Sequence, residues 1–334
     1  MMNNTIAVTL GDINGIGLEL LLKLYLKKNK RNFVLFTDID YFKKYLIKNK
    51  IKIKTYQINK NNERSIIKKN HLNIYSYKSN SNEDNTIKSL VFSYRECLKK
   101  NYIGVVTLPL RKDLIINKIN KKFIGQTEYF QELDKKKFSN MILYHKKIIV
   151  SPLTTHISIK SVSDNILKKD FMYNKIINIY YSLIYDFKIN FPKIIISGIN
   201  PHAGENGKIG FEEKEISKVL SKLKKKGIII DGPYSADSML IKNNIIKYDC
   251  FIFMYHDQAL IPFKYISKFS GVNFTSNLEI IRTSPDHGTA YNLRGSRDVS
   301  SKSLENCFKL VKLIYKNRKF NNETKKIIKS KFFN

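Results

Sequence analysis

Short apolar runs alternate along this chain with segments of helical periodicity, and three of the runs are each followed closely by a histidine. Strands that alternate with helices predict an α/β fold with a mostly parallel sheet. The three histidines and the runs before them are His156 after Ile148–Val150, His202 after Ile194–Ile196, and His256 after Cys250–Met254. Because loops that follow parallel strands share one edge of the sheet, where ligands bind, we expect these histidines to lie near one another.

Three histidines with a common context predict a metal site. Three imidazoles that leave a fourth position open are the ligand set of a catalytic zinc or a similar divalent metal. Each histidine alone is more commonly a polar loop residue, so the interpretation depends on the same context occurring three times. Zinc is the expected metal, with magnesium or cobalt as alternatives.

The chain carries a formal net charge of +32 over 334 residues, which has two explanations. Dense positive charge would strengthen binding to a polyanionic partner such as nucleic acid. However, the excess is almost all lysine, is spread along the chain, and accompanies frequent asparagine and isoleucine, whose codons are also A/T-rich. We favour this compositional bias and expect no nucleic-acid partner, although the charge should raise the local concentration of a small phosphorylated anion.

The sequence predicts a cytoplasmic protein that does not enter a membrane. No apolar stretch approaches the ~20 residues that span a bilayer, and the N-terminus has no basic region typical of a signal peptide. The three cysteines, Cys97, Cys250 and Cys307, form no CxxC pair. Reduced thiols are the simplest interpretation of their number and spacing.

A glycine loop spans residues 11–17 after the first predicted strand, Ile6–Leu10, and before an apolar helix. Its GxxxGxG spacing is not that of the dinucleotide fingerprint, and no acidic residue clearly closes the second predicted strand. Two interpretations of the loop therefore remain: a nucleotide-binding loop, or a tight turn that lets the helix pack on the sheet.

The remaining elements are predicted from periodicity. They are strands at Phe33–Thr37, Ile51–Gln57, Ile103–Leu108 and Gly271–Thr275, helices at Asp40–Lys48, Ile87–Asn101, Glu213–Lys225 and Ser303–Lys316, and a polar loop at Asn59–Asn85.

Polar segments flanked by apolar strands are where function is expected. They are Gly125–Glu128, Asn200–Gly207, Gly232–Asp237 and the stretch from Met254 to Ala290. From Leu10 to Gly295 the chain resembles the family of NAD-dependent 4-hydroxythreonine-4-phosphate dehydrogenase, the pyridoxal phosphate biosynthesis enzyme. The most specific parts of the resemblance are Asn200–Gly207, Met254–Gln258 and Arg282–Ala290.

The resemblance implies two α/β/α domains of the isocitrate and isopropylmalate dehydrogenase type, with mostly parallel sheets and the active site in the cleft between the domains. The predicted domains are 1–127 plus 270–334 on the cofactor side, and 128–269 for metal binding and dimerisation. The resemblance also implies a homodimer whose active site is shared between subunits. His156 and His202 would bind the metal together with His256 of the partner subunit.

Carried over position by position, the family's substrate contacts are expected at Thr127, Lys264, Asn273 and Arg282. The chain departs from the family at Gln126, where His is usual, and at Leu10 and Asp12–Ile13, where Pro and Glu-Pro are common. Gln126 can donate a hydrogen bond to a phosphate oxygen but cannot carry charge.

Two carboxylates and one loop complete the predicted site. Asp257, and less strongly Asp237, are candidates for catalysis, as groups that orient an imidazole or move a proton. The alternative is that they are loop carboxylates that cap helices. The loop of Asp286, His287, Gly288 and Thr289 resembles the adenosine side of the cofactor site in the wider fold. The alternative there is a turn fixed by Gly288.

The function implied is metal-dependent NAD or NADP oxidation of 4-phosphohydroxy-L-threonine, followed by decarboxylation. A metal on the substrate hydroxyl would favour hydride transfer to the nicotinamide ring. The alternative within the enzyme class is a related dehydrogenase that acts on 4-phospho-threonate or 4-phospho-erythronate. The alternative from another class is a nucleic-acid-binding protein on a retired enzyme fold, whose binding would fall steeply with salt.

Overall fold

The computed structural model describes residues 4–27, 32–58, 67–118, 121, 123–296 and 299–320. The strands are β1 (Ile6–Thr9), β2 (Phe33–Phe36), β3 (Thr55–Gln57), β4 (Leu72–Tyr75), β5 (Val105–Val106), β6 (Asn140–His145), β7 (Ile148–Pro152), β8 (Lys193–Ser197), β9 (Ile229–Tyr234), β10 (Cys250–Phe253), β11 (Val272–Ser276) and β12 (Arg282–Pro285). The helices are α1 (Ile16–Leu26), α2 (Ile39–Lys48), α3 (Asn82–Leu98), α4 (Lys112–Lys118), α5 (Gln126–Leu133), α6 (Val162–Leu167), α7 (Phe171–Tyr185), α8 (Glu212–Lys225), α9 (Lys242–Lys247), α10 (His256–Ser267) and α11 (Lys302–Phe320).

The chain divides into two compact units. The first comprises Met1–Asp134 and Glu279–Lys312, and the second comprises Lys135–Leu278 and Leu313–Asn334. Strands alternate with helices in both, so the predicted two-domain α/β architecture with a mostly parallel sheet is confirmed.

In the first unit the strands lie in the order β3-β4-β2-β1-β5-β12, and every neighbouring pair is parallel. All residues of β1 and β2 are buried. Such continuous apolar runs are typical of parallel strands covered on both faces. The carboxyl ends of β1, β5 and β12 therefore lie side by side, and the loops that follow them can build one site.

In the second unit the order is β11-β6-β7-β10-β8-β9. The pairs β11–β6 and β6–β7 are antiparallel, whereas β7–β10, β10–β8 and β8–β9 are parallel. The three runs before the histidines are β7, β8 and β10, and β10 lies between the other two. The prediction that these loops share one edge of the sheet is thus confirmed.

Helix α8 shows how the sequence pattern sets the packing in this unit. Ile216, Leu220 and Leu223 recur at helical spacing and are buried, while most other positions are polar and exposed. Three glutamates lie in its first turn and three lysines in its last turn, which complements the helix dipole. Elsewhere in this unit, Phe251 and Phe253 of β10 and Phe263 of α10 belong to one buried apolar cluster.

The predicted polar loop at Asn59–Asn85 is wrong at two places in the part that the structure describes. Residues 59–66 lie outside the described residues, but β4 and the beginning of α3 fall inside the predicted loop. The strand was missed because Asn73 interrupts its apolar run. The Asn73 side chain is buried and bonded to the backbone of Lys68 and His71, so the polar residue is compatible with a strand.

The second strand is followed by an acidic residue that the sequence analysis did not recognise. Asp38 is buried, caps α2 by accepting from the backbone of Asp40, and accepts from the backbone and hydroxyl of Ser79. These bonds occupy both carboxylate oxygens, so Asp38 is a structural cap that holds β2, α2 and the segment before α3 together.

The unit boundaries lie later in the chain than the predicted ones at residues 127 and 269. Residues 126–133 form α5, which packs against α3 of the first unit, and β11 pairs with β6 of the second unit along its length. Residues 313–320, the end of α11, group with the second unit rather than the first. There, Asn317 and Arg318 bond to Asp186.

No helix within the described ranges is long and apolar enough to cross a membrane.

Candidate functional site

A buried arginine forms the centre of the predicted substrate site in the first unit. Arg282 begins β12, is 2% exposed, and lies over the ring of Phe130 at 5.7 Å. Its Nε and Nη2 donate to the hydroxyl of Thr107 at 3.0 and 2.8 Å, and its Nη1 donates to the hydroxyl of Thr127 at 3.2 Å. Burial lowers the pKa of the guanidinium to about 10, so Arg282 stays charged at neutral pH.

Gln126 and Thr127 begin helix α5 and both contact Arg282. The Gln126 Oε1 accepts from Arg282 Nη2 at 2.7 Å, and its Nε2 donates to the carbonyl of Leu108 at 2.9 Å. The structure thus brings together three predicted substrate residues, Gln126, Thr127 and Arg282. It also shows that the amide of Gln126 has protein partners at both ends, so the residue orients the arginine.

The sequence analysis missed Thr107, which contacts Arg282, and Lys112, which like Arg282 interacts with the charge of Glu128. Thr107, directly after β5, is fully buried and accepts two of the arginine bonds. Lys112 begins α4, and burial lowers the pKa of its ammonium group while the carboxylate of Glu128 acts in the opposite direction. Glu128 also acts on Arg282 in this way. Polar residues just after a buried strand were the available signal for Thr107.

The glycine loop packs tightly against the segment after β5. Gly11 has φ +65, and a Cβ atom there would lie 2.6 Å from the carbonyl oxygen of Pro109. A Cβ atom on Gly17 would lie 2.9 Å from the Pro109 ring. Close packing therefore explains these glycines, in favour of the tight turn over the nucleotide loop. Beside the loop is a cavity of about 50 Å³ lined by residues that include Asp12, Asn14 and Arg111.

The predicted cofactor loop follows β12 and touches the glycine loop. The carbonyl of Thr289 accepts from the backbone of Ile16, the first residue of α1, at 3.0 Å, and Asp286 donates its backbone N–H to Ser303. A Cβ atom on Gly288 would meet open space, so packing does not require glycine there. The buried Nε2 of His287 has no hydrogen-bond partner in the described part of the chain. An orphaned donor or acceptor in this loop is compatible with a bound cofactor.

His156 and His256 lie side by side in the second unit. Their ring centroids are 5.9 Å apart. Two imidazoles that bind one tetrahedral zinc have centroids roughly 5 Å apart, since the Zn–N bond is ~2.0–2.1 Å. Thr154 joins the segments that lead into the two histidines: both its backbone N–H and its hydroxyl donate to the carbonyl of Met254, at 3.1 and 2.8 Å. The donor chemistry and the spacing of this pair suit a divalent cation.

His202 lies in the loop after β8, close to Asp237. The hydrogen bond from Ser235 lowers the pKa of the Asp237 carboxyl, and the charge of His202 acts in the same direction. Asp237 is therefore a carboxylate at neutral pH, next to a predicted metal ligand. His156, His202 and the partly exposed His256 are all accessible to solvent.

Asp257 contacts the imidazole that precedes it. Its Oδ1 lies 3.0 Å from Nδ1 of His256, and the carboxylate side chain is 71% exposed. A carboxylate bonded to one ring nitrogen leaves the other nitrogen available for a metal. Within the described ranges of one chain, no three His, Cys, Asp or Glu side chains come together as a complete metal-binding group.

The remaining predicted substrate residues, Lys264 and Asn273, belong to the second unit. Lys264 lies in α10 with its Nζ 5.4 Å from the ring centroid of Phe269. Asn273 lies in β11, and its buried Oδ1 has no hydrogen-bond partner among the described residues. An acceptor without a donor among these residues is compatible with a ligand that carries an ammonium or hydroxyl group.

Comparisons with known proteins agree along nearly the whole chain. A family model described as pyridoxal phosphate biosynthetic protein PdxA matches residues 29–311. The 4-hydroxythreonine-4-phosphate dehydrogenase of Wigglesworthia glossinidia brevipalpis is 37% identical over 320 residues, which cover 91% of this chain and 95% of that protein. The Aquifex aeolicus enzyme of the same name is 36% identical over 322 residues, covering 93% and 98%.

Solved structures agree with these sequence relatives. The crystal structure of 4-hydroxythreonine-4-phosphate dehydrogenase from Klebsiella pneumoniae superposes with a TM-score of 0.80 at 26% identity, covering 94% of this chain and 100% of that chain. A putative enzyme of the same name from Salmonella typhimurium gives 0.79 at 25% identity, covering 93% and 99%.

Proposed function

The chain belongs to the family of pyridoxal phosphate biosynthetic protein PdxA, and from that membership we propose which reaction it catalyses. It is an NAD-dependent dehydrogenase that oxidises 4-phosphohydroxy-L-threonine to 2-amino-3-oxo-4-phosphooxybutanoate. The product then loses carbon dioxide to give 3-amino-2-oxopropyl phosphate, on the route to pyridoxal 5'-phosphate. NADP is the alternative cofactor. The proposed location is the cytoplasm.

The observation that carries this proposal is the buried guanidinium of Arg282, which contacts the first residues of α5. A guanidinium that is 2% exposed and held by the hydroxyls of Thr107 and Thr127 offers a fixed positive charge. The N-terminus of α5 adds the positive end of a helix dipole. In this proposal Arg282 and Thr127 bind the substrate phosphate, and Gln126 holds the guanidinium in place.

The histidines are proposed to bind a divalent cation, zinc in the first instance. His156 and His256 have the donor atoms and the spacing for it, and His202 supplies the third imidazole. When bound, the cation would favour ionisation of the substrate hydroxyl and stabilise negative charge on that oxygen during decarboxylation, while NAD accepts the hydride. Asp257 orients the ring of His256, and Asp237 is placed near His202 to accept the hydroxyl proton.

We also propose that the active protein is a homodimer with a shared active site, in which, as the resemblance implies, the third ligand is His256 of the partner subunit. The support is that exposed apolar side chains flank the histidine loops: Ile157, Ile159, Ile209 and Phe211 are between 41% and 65% exposed. Large apolar side chains grouped at the surface commonly mark a protein interface. A complete set of ligands would then require two chains, in keeping with the resemblance to the family.

NAD is proposed to bind at the loop of Asp286, His287, Gly288 and Thr289. The support is the orphaned Nε2 of His287 and the open space in front of Gly288. In this arrangement His287 bonds the cofactor.

A second substrate class remains a candidate because of Gln126. This chain has a neutral amide where relatives of this family usually carry His. Both 4-phospho-threonate and 4-phospho-erythronate have a hydroxyl where the first substrate has an amine, and they differ from each other in configuration. The orphaned Oδ1 of Asn273 can accept from either group.

A substrate panel tests the proposed reaction. NADH formation is followed with purified full-length protein, 4-phosphohydroxy-L-threonine, 4-phospho-threonate and 4-phospho-erythronate. We expect the highest kcat/KM for the amino substrate. A higher value for a hydroxy acid would assign the chain to the second substrate class, and no NADH from any of the three would contradict the proposed activity.

A further inference from the structure

The loop that carries His202 has a backbone conformation that L-amino acids rarely adopt. His202, Ala203, Gly204, Glu205 and Asn206 have φ values of 50, 51, 78, 43 and 59, all in the left-handed region. Only one of the five is glycine, so the side chains of the others disfavour this conformation. Contacts from outside the loop must therefore hold it.

The carboxylate of Glu213, in the first turn of α8, supplies such contacts. Glu213 is 6% exposed. Its Oε1 accepts from the backbone N–H of Ile199 at 3.0 Å and of Asn200 at 2.9 Å, and its Oε2 accepts from Nδ2 of Asn200 at 2.9 Å. Hydrogen bonds to an ionised acceptor are about twice as strong as neutral ones. The two residues that lead into Pro201 and His202 are therefore fixed by one buried charge.

The same carboxylate also touches the far side of the loop. A Cβ atom built on Gly204 would lie 2.5 Å from Oε2 of Glu213. The loop therefore contacts Glu213 both before and after His202. Any residue larger than glycine at position 204 would displace the carboxylate or the loop.

Gln258 ties the base of this loop to the strand before His256. Its Oε1 accepts from the hydroxyl of Ser197 at 3.1 Å and from the backbone N–H of Met254 at 2.9 Å. Its Nε2 donates to the carbonyl of Gly198 at 3.1 Å. The ends of β8 and β10 are thus joined by one amide, and Glu213 determines the path of the loop beyond that junction.

We propose that Glu213 is a positioning residue for His202: without touching the metal, it holds the loop in the one conformation that presents this imidazole to the cation. The inference rests on the metal site proposed above. Loss of a group that supports a ligand typically weakens metal binding 10- to 100-fold.

Glu213→Gln is the informative substitution because it keeps the shape and removes the charge. A glutamine can satisfy the two backbone N–H groups with its oxygen, but its amino group then faces Nδ2 of Asn200. Asn200 cannot turn its oxygen toward that donor, because its Nδ2 also donates to Oε2 of Glu212 at 2.9 Å. The matched control is Glu215→Gln on the same helix, where the exposed carboxylate pairs with Lys218.

The experiment measures Co²⁺ binding to the metal-free, full-length protein by calorimetry and by visible absorption. We expect Glu213→Gln to bind Co²⁺ at least about 10-fold more weakly with a changed spectrum, while Glu215→Gln stays within about twofold and both keep the KM for NAD. Equal Co²⁺ affinity and spectrum in wild type and Glu213→Gln would overturn the inference.

Two further outcomes are distinguishable. If wild type itself binds no Co²⁺, the proposed metal site fails and the inference falls with it. If Glu213→Gln does not fold, hydrogen exchange of the wild-type protein decides. The amides of Ile199 and Asn200 are expected to be protected, and exchange at the rate of an open loop would overturn the proposal.

Discussion

A buried guanidinium carries a desolvation cost, and neutral hydroxyl and amide oxygens offset it only in part. Arg282 is in this position, held by Thr107, Thr127 and Gln126 at the ends of β5 and α5. A bound phosphate would interact with the guanidinium, whose orientation these three residues fix. The proposal for the first unit therefore depends on Arg282 more than on any other side chain.

Arg282→Lys tests this role. Lysine keeps the charge but cannot reach Thr107, Thr127 and Gln126 together, so the cation would lose its fixed position. A hydrogen bond to a charged group contributes about 1.5–3 kcal/mol, so we expect KM for the phosphorylated substrate to rise about 10- to 100-fold.

The matched control is Arg95→Lys, at an exposed position of α3. Steady-state kinetics give KM for the phosphorylated substrate in both variants. An unchanged KM in Arg282→Lys would remove the arginine from the phosphate site.

The pH dependence of anion binding follows from the same residue. Burial lowers the pKa of Arg282 to about 10. The group is protonated below this value and loses its charge above it, so we expect affinity for inorganic phosphate to be flat between about pH 7.5 and 9 and to fall as pH rises through about 10. Calorimetric titrations check this, with circular dichroism to confirm that the protein stays folded. Full affinity at about pH 11 would contradict it.

Site residues were predictable from the sequence where the same local pattern is repeated along the chain. They were not predictable where their hydrogen-bond partners are far away in the sequence. The three histidines follow three apolar runs, and those runs became β7, β8 and β10. The position of Thr107 after a buried strand was a usable signal, but its bond to Arg282 was not predictable, because the two residues lie 175 positions apart along the chain. Glu213 was included only as the beginning of a helix, since nothing local to it shows that it accepts bonds from Ile199 and Asn200.

At the level of elements, most strands that contain an apolar run were recognised, whereas a strand without one was not. β2 is Phe-Val-Leu-Phe and was found, whereas β12 is Arg-Thr-Ser-Pro and was missed. β12 is a strand because it pairs with β5, and its buried polar residues have partners: the hydroxyl of Thr107 donates to the carbonyl of Thr283. Such pairing is decided by tertiary structure, which overrides local propensity.

Helices α7 and α11 are joined in the second unit by a buried ion pair. Asp186, directly after α7, is 1% exposed, and its Oδ1 accepts from Nε of Arg318 at 2.7 Å. Its backbone carbonyl accepts from Nδ2 of Asn317 at 2.7 Å. These contacts explain why the end of α11 groups with the second unit.

Asp186→Asn should destabilise the protein strongly. Removal of one partner leaves the Arg318 charge without its buried counter-ion, which costs about 3 kcal/mol or more. Urea unfolding measures the free energy. Asp164→Asn, at an exposed position of α6, is the control and should change stability by less than about 0.5 kcal/mol. Equal stability of the two variants would show that the ion pair is not a major contributor.

At the scale of the whole molecule, the net charge of +32 should attract the proposed substrate from solution. Surface charges act over roughly 10 Å at 0.1 M salt. We expect kcat/KM for a phosphorylated substrate to fall several-fold between about 20 and about 200 mM salt. A salt-independent kcat/KM would contradict this expectation, and tight DNA binding with a steep salt slope would instead favour a polyanionic partner.

The alternation of strands with helices was predictable, because periodicity along the chain determines the class of fold, whereas the division into two units was implied by the resemblance to a known family. The positions of the boundaries were not predictable, since they depend on which unit β11, α5 and the end of α11 pack against. The resemblance to known enzymes contributed most to the functional prediction, because neither the charge nor the periodicity of the sequence identifies a substrate.

The account depends on an oxidation that needs both a phosphorylated substrate and a metal held by histidines. NADH formation from 4-phosphohydroxy-L-threonine, measured on full-length protein after exhaustive chelation and again after addition of Zn²⁺ or Co²⁺, tests this directly. We expect no NADH without metal, recovery on addition, and no recovery in His202→Ala. A full rate after chelation, or full activity in His202→Ala, would contradict the account.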